Sequence, residues 1–204
     1  MSVNNLDFDD IHSFHSEIVL SKFVDRVMEN CKSSQIHSFR LHFPTKWVKR
    51  TSVSYWIDKA VRLNVCDIDI RVLIFELPLS LFTCKTLTKL RIGRGNPTSL
   101  VWECPSLVNL PCLKTLDIAV RENPFLRKNP FVNAFELIRG CLVLESLSLG
   151  VGIHEEEKGY IFNIPTLKRP KLTLQRVCAL VTKKVVLNVP NLEYLFVGGM
   201  FQQF

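Results

Sequence analysis

The chain has 204 residues, 47% of them hydrophobic and 22% charged, a globular balance that excludes long disorder. Lys+Arg 26 against Asp+Glu 19 leaves a formal charge of +7, which favours an acidic partner. The cations are scattered, gathering only at Lys46, Lys49, Arg50 and at Lys168, Arg169, Lys171, and neither group interleaves with aromatics in the manner of a nucleic-acid module, so a solvated surface is favoured over nucleic acid as a partner.

MSVNNLDFDD has neither the basic start nor the apolar stretch of a secretory signal. No apolar run reaches the roughly 20 residues of a membrane span. These features predict an intracellular protein, cytoplasmic and/or nuclear, with no membrane partner. Glu17 to Asn30 follows Ser16, a fitting N-cap, and carries Leu20, Phe23, Val24, Val27 and Met28 at helical spacing, which predicts an amphipathic helix. We read residues 1–35 as an N-terminal segment whose helix caps the units that follow.

From Ile36 onward one spacing recurs, L-x-x-L-x-L. It is met by Ile36/Phe39/Leu41, Val65/Ile68/Ile70, Leu87/Leu90/Ile92, Leu113/Leu116/Ile118, Leu144/Leu147/Leu149, Leu167/Pro170/Leu172 and Leu192/Leu195/Val197, at steps of 29, 22, 26, 31, 23 and 25 residues. That is the leucine-rich-repeat period. The last two residues of each set lie two apart and share one face of a strand, while their neighbours point away. One such unit cannot cover its own apolar face, so units stack and bury a continuous core. The expected fold is α/β: a leucine-rich-repeat solenoid, a curved parallel sheet with helices and turns on its convex side. It has about seven repeats, and residues 36–204 form one continuous domain.

Between the strands the sequence predicts a polar insert over Pro44 to Ser54 and a helix over Tyr55 to Arg62. An outer turn follows at Leu77 to Phe82, containing Pro78, and a loop at Gly93 to Pro97. CPSLVNL at 104–110 is read as the outer segment of the fourth unit. Arg121 to Pro130 is a projecting loop, and a short helix runs to Arg139 with Asn133 as its N-cap and Gly140 just past its end. HEEEKG at 154–159 is an acidic loop. Pro170 at an inward strand position predicts an edge or bent strand. After VPNLEYLFV comes GGMFQQF with no polar cap, so this reading expects the polypeptide to be truncated there or its apolar edge to be covered by something else.

The segments LDFDD at 6–10, LPLSLFTCKTLTKLRI at 77–92, NLPCLKTLDI at 109–118, FELIRGCLVLESLSL at 135–149, IPTLKRPKLTL at 164–174 and VPNLEYLFV at 189–197 resemble the leucine-rich region of plant F-box/LRR-repeat proteins, including the FBD-associated type. The resemblance implies the substrate-recognition part of an F-box subunit of a cullin-RING ubiquitin ligase. The alternative is a stand-alone interaction, scaffold or decoy protein without ligase coupling. Too few residues precede the first helix to hold the family's F-box, so the expectation is that the F-box is absent. The ligase adaptor would then be a partner only if a longer gene product supplies one.

There is no G-x-x-x-x-G-K-[ST], G-x-G-x-x-G, G-x-S-x-G or H-E-x-x-H. No catalytic residue, cofactor or metal site is expected, and the chain reads as a non-enzyme. The seven cysteines lack any C-x-x-C pair and are read as buried small apolar residues, with Cys84 and Cys141 in one recurring slot. Asp67 and Asp69 are read as solvated strand residues, and His37 and His42 not as a catalytic pair. The candidate site is a protein-binding face on the concave side of the sheet. It comprises Arg40, His42, Asp67, Asp69, Arg71, Lys89, Arg91, Asp117, Arg169, Lys171, Tyr194 and Phe196, joined by Ser38, Thr115, Ser146 and Ser148. Arg91, Arg169, Tyr194 and Phe196 are its expected anchors, because Arg and aromatics dominate interface energetics.

Overall fold

A computed structural model describes residues 3–9, 17–43, 48–72, 74–93, 99–101, 104–120, 130–153, 160–176 and 185–199. In chain order the elements are β1 (Asn5–Phe8), α1 (Glu17–Asn30), β2 (Ser38–Phe43), α2 (Arg50–Arg62), β3 (Asp67–Val72), β4 (Ile74–Glu76) and a 3-10 helix (Leu79–Thr83). There follow β5 (Lys89–Ile92), β6 (Ser99–Val101), β7 (Thr115–Val120), α3 (Pro130–Arg139), β8 (Ser146–Ile153), β9 (Tyr160–Asn163), β10 (Arg169–Arg176), β11 (Val185–Asn188) and β12 (Phe196–Gly199). Eight strands form one sheet in the order β1-β2-β3-β5-β7-β8-β10-β12, and every pair in it is parallel.

Register follows the apolar spacing. Leu6, Phe39, Ile68, Leu90, Leu116, Leu147 and Pro170 stand opposite one another across seven strands, and Phe8, Leu41, Ile70, Ile92, Ile118, Leu149, Leu172 and Val197 across eight. Leu6, Phe8 and all but Pro170 and Val197 of these belong to one buried apolar cluster shared with Leu20, Val24 and Met28 of α1 and Val53, Trp56 and Ile57 of α2. Each full burial of such a side chain is worth about 1.5–3 kcal/mol, so the cluster, rather than local propensity, fixes the register.

The entry to each strand is built the same way. The carbonyls of Asn4, His37, Cys66, Thr88, Lys114, Glu145 and Lys168 each accept two successive N–H groups from the next unit, as when Cys66 accepts from Thr88 and Lys89 at 2.8 and 3.1 Å. A polar side chain just ahead of the first apolar position often adds a clasp. Asn64 donates to the Ser34 carbonyl, Thr86 to Val65, Thr166 to Leu144 and Asn191 to Pro165.

The sheet begins one strand earlier than the sequence reading placed it. α1 has the expected bounds, but β1 precedes it, so the helix connects β1 to β2, and its Leu20, Val24 and Met28 join the core cluster. Ser16 lies outside the described residues. α2 starts at Arg50, five residues ahead of the expected Tyr55, because Val53 already packs in the core. It ends at Arg62, and Asn64, two residues on, has a φ of 52° that makes the left-handed turn. Two small parallel sheets, β4 with β6 and β9 with β11, were not expected at all.

Three local expectations are corrected. α3 begins at Pro130 instead of Asn133, since proline suits the first helical position. The Asn133 side chain is buried and accepts the Cys104 N–H at 3.2 Å. Gly140 does not have the positive φ of a left-handed end; a Cβ there would collide with Val108, so close packing demands the glycine. β10 is not an edge strand: it runs eight residues between β8 and β12. The proline is tolerated because Arg169 N–H makes the bond to Glu145, and pairing with β12 starts only at Lys171. The loops at 121–129 and 154–159 lie outside the described residues.

Candidate protein-binding face

Alternation in the strands puts the intervening side chains on the opposite side from the core. One row reads Asp7, Arg40, Asp69, Arg91, Asp117, Ser148, Lys171 and Phe196, strand by strand. The row beside it reads Asn5, Ser38, Asp67, Lys89, Thr115, Ser146 and Arg169. Tyr194 falls beside Arg169, because Tyr194 N–H shares the Lys168 carbonyl with Glu193. All twelve sequence-predicted residues are therefore brought to one face.

The sign of charge alternates across the first five strands of the longer row, and opposite charges directly across a sheet attract. Arg40 Nη1 lies 3.3 Å from Asp7 Oδ2. Arg91 Nη1 reaches Asp67 at 3.1 and 3.4 Å. Arg71 grips Asp69 through Nε and Nη2 at 3.3 and 3.2 Å.

His42 and Asp69 form the floor of this network. His42 is 8% exposed and Asp69 4%, so the expectation of solvated aspartates fails at Asp69, whose charge is offset by Arg71. His42 Nδ1 is 3.0 Å from Asp9 Oδ1. Its Nε2 is 3.3 Å from Asp69 Oδ1 yet lacks hydrogen-bond geometry there and is fully buried. The contact is one of proximity, and His42 is not available to touch a partner from this position.

The other half of the face differs. Among the described residues Lys89 makes no ion pair, and Lys171 meets only the Phe196 ring, with Nζ 5.3 Å from its centroid. Arg169 Nη2 pairs with Glu193 at 2.9 Å. Tyr194 and Phe196 are 58% and 40% exposed. The Phe196 ring lies along its strand over Gly198, where a Cβ would meet it at 2.6 Å. Leu192, Leu195 and Val197, the inward residues of the last unit, are also exposed. Between these two ends the floor consists of Thr115, Ser146 and Ser148, small and partly exposed, with Asp117 the one charged residue among them.

Away from this face, Asp58 accepts a 2.7 Å hydrogen bond from the Ser80 hydroxyl. That bond first, and Arg62 after it, hold the Asp58 carboxyl below the usual carboxylate range, against the opposing effect of burial. Burial pushes the Cys141 thiol up to about 12, with Cys104 nearby adding to the effect. Cys84 and Cys141 are buried as expected, whereas Cys112 is exposed. Among the described residues no group of three or more His, Cys, Asp or Glu could hold a metal ion, and no helix is long and apolar enough to cross a membrane.

Parallel strands in register, each opened by L-x-x-L-x-L and backed by helices, are compatible with a leucine-rich-repeat architecture. Over most of its length the chain is homologous to plant F-box/LRR-repeat and FBD-associated F-box proteins. It is 33% identical to an F-box/LRR-repeat protein of Arabidopsis thaliana over 95% of this chain and 38% of that protein. A second F-box/LRR-repeat protein of the same plant is 32% identical over 95% of this chain and 51% of its own length, and a putative FBD-associated F-box protein is 28% identical over 96% and 44%. The chain thus spans between about a third and a half of these relatives. No family model matches it, and no solved structure does.

Proposed function

We propose that the chain is a leucine-rich-repeat solenoid of eight units, counting the one opened by β1, and that its front face selects a protein target for an F-box-type ubiquitin ligase. It works by binding and not by catalysis. The observation that carries this reading is the in-register face itself: side chains from eight parallel strands stand in two continuous rows, the geometry of an extended recognition surface. The ligase half rests on the homologues, whose names carry both the F-box and the repeats.

The test begins with the transcript. If an open reading frame encodes an F-box in frame with these residues, the full polypeptide should retain the ligase adaptor in a pull-down. A version lacking the F-box should not. A stop codon immediately upstream of Met1, with no adaptor retained by any product, removes the ligase half and leaves a stand-alone binding protein.

A further inference from the structure

The two halves of the front face are chemically unequal. On β1 to β3 the cations Arg40 and Arg71 are each held by a carboxylate of this same chain, and Arg91 of β5 is tied back to Asp67. A partner docking there must first break those contacts, which lowers the net gain of any new ion pair. From β5 onward the balance reverses. Arg169 is paired with Glu193, but among the described residues Lys89 and Lys171 have no carboxylate partner, and on the outward strand positions of β7 to β12 Asp117 is the one acidic residue.

Shape points the same way. Thr115, Ser146 and Ser148 make a low floor on β7 and β8, between long side chains on β5 and long or aromatic ones on β10 and β12. Three inter-strand steps separate Lys89 on β5 from β10, about 14 Å at the usual strand spacing. An extended chain crossing the strands covers that in about four residues. One step further, Tyr194 and Phe196 present exposed rings beside Lys171, an amphipathic end suited to an apolar side chain.

We propose that the half of the face from β5 to β12 seats an extended acidic protein segment. Its carboxylates, about four residues apart, meet Lys89 and Lys171, its backbone crosses the Ser/Thr floor, and an apolar side chain covers Tyr194 and Phe196. This rests on the reading of the front face as protein-binding and adds where on it the partner lies and what chemistry it carries.

The experiment is selection of a random 12-residue peptide display library on the full chain, followed by affinity measurement of the enriched peptides. Enrichment of peptides with two acidic residues and an aromatic or aliphatic one is expected, with binding at least tenfold weaker to the Lys89→Glu/Lys171→Glu variant and to Phe196→Ala. Arg40→Ala/Arg71→Ala should change it less than threefold, and circular dichroism should show all variants folded. Enriched peptides that depend on Arg40 and Arg71 instead overturn this inference while leaving a protein-binding front face intact. Peptides indifferent to both sets, or no enrichment, overturn both readings. Tighter binding of a 20-nucleotide single-stranded RNA than of any peptide, lost in the double lysine variant, overturns the inference in favour of a nucleic acid.

Discussion

Replacing Leu116 by Ala tests the orientation of the central strand. Leu116 is fully buried on β7 between Leu90 of β5 and Leu147 of β8, which stand directly opposite it. The substitution removes apolar bulk worth about 2.4 kcal/mol at 0.8 kcal/mol per methylene equivalent. It also leaves a cavity that neighbours held by ladder hydrogen bonds on both sides cannot close. The total should fall at about 3–5 kcal/mol, in the upper part of the range for buried Leu→Ala. In a chain of this size that is a fall in Tm of about 6–20 °C. Urea denaturation followed by circular dichroism reads it as a lower midpoint with an unchanged slope. The control is Asp117→Ala, one residue on and facing the other way, which should cost under about 1 kcal/mol. Equal losses at the two positions would mean that the strand faces backwards, and the binding face would go with it.

Asp69→Ala should destabilise by about 1–3 kcal/mol because it strips the buried floor carboxylate from Arg71 and His42. Asp7→Ala, at an exposed pair, should cost under about 1 kcal/mol, less in high salt; a larger loss at Asp7 in the same urea titration contradicts the partition. Ser80→Ala should raise the Asp58 pKa toward its ordinary value of 3.8, read by NMR titration. Because the folded value is depressed, Asp58 contributes stability above its unfolded pKa and loses it as pH falls through the folded one. The difference between wild type and Ser80→Ala should therefore be greatest near neutrality and vanish in acid. Iodoacetamide at pH 8 should modify Cys112 in the native protein and reach Cys141 only after denaturation, as mass spectrometry can follow, since a thiol pushed up to about 12 stays protonated. Stability attributable to Cys141 should decline between pH 9 and about 12, where the unfolded thiol ionises first.

The strands of the main sheet from Ser38 onward were legible because a spacing of two between buried Leu and Ile residues admits one facing, and α1 because its stripe has helical spacing. β1 was also written in the sequence. Val3, Leu6 and Phe8 repeat the same L-x-x-L-x-L spacing 33 residues ahead of Ile36, and Val3 N–H is bound by Ser33 Oγ at 2.9 Å. The small sheets β4–β6 and β9–β11 left no such trace, because strands of three or four residues paired across 25 positions carry no period of their own. On the front face, position was readable and pairing was not. Alternation placed Asp69 and His42 outward, but the arginine two residues along from Asp69 and the Asp9 carboxylate just past β1 that meet them depend on neighbours in space.

The doubly shared carbonyls at the strand entrances give the sheet a grammar independent of its wording. Asn4, His37, Cys66, Thr88, Lys114, Glu145 and Lys168 comprise six residue types, yet each offers its backbone oxygen to the corresponding pair of amides. Excising everything from one such oxygen up to its successor would splice like onto like, delivering Lys114 and Thr115 to the oxygen of Cys66. Lengthening or shortening by whole units is thus chemically cheap for such a polypeptide, while trimming by a few residues is not.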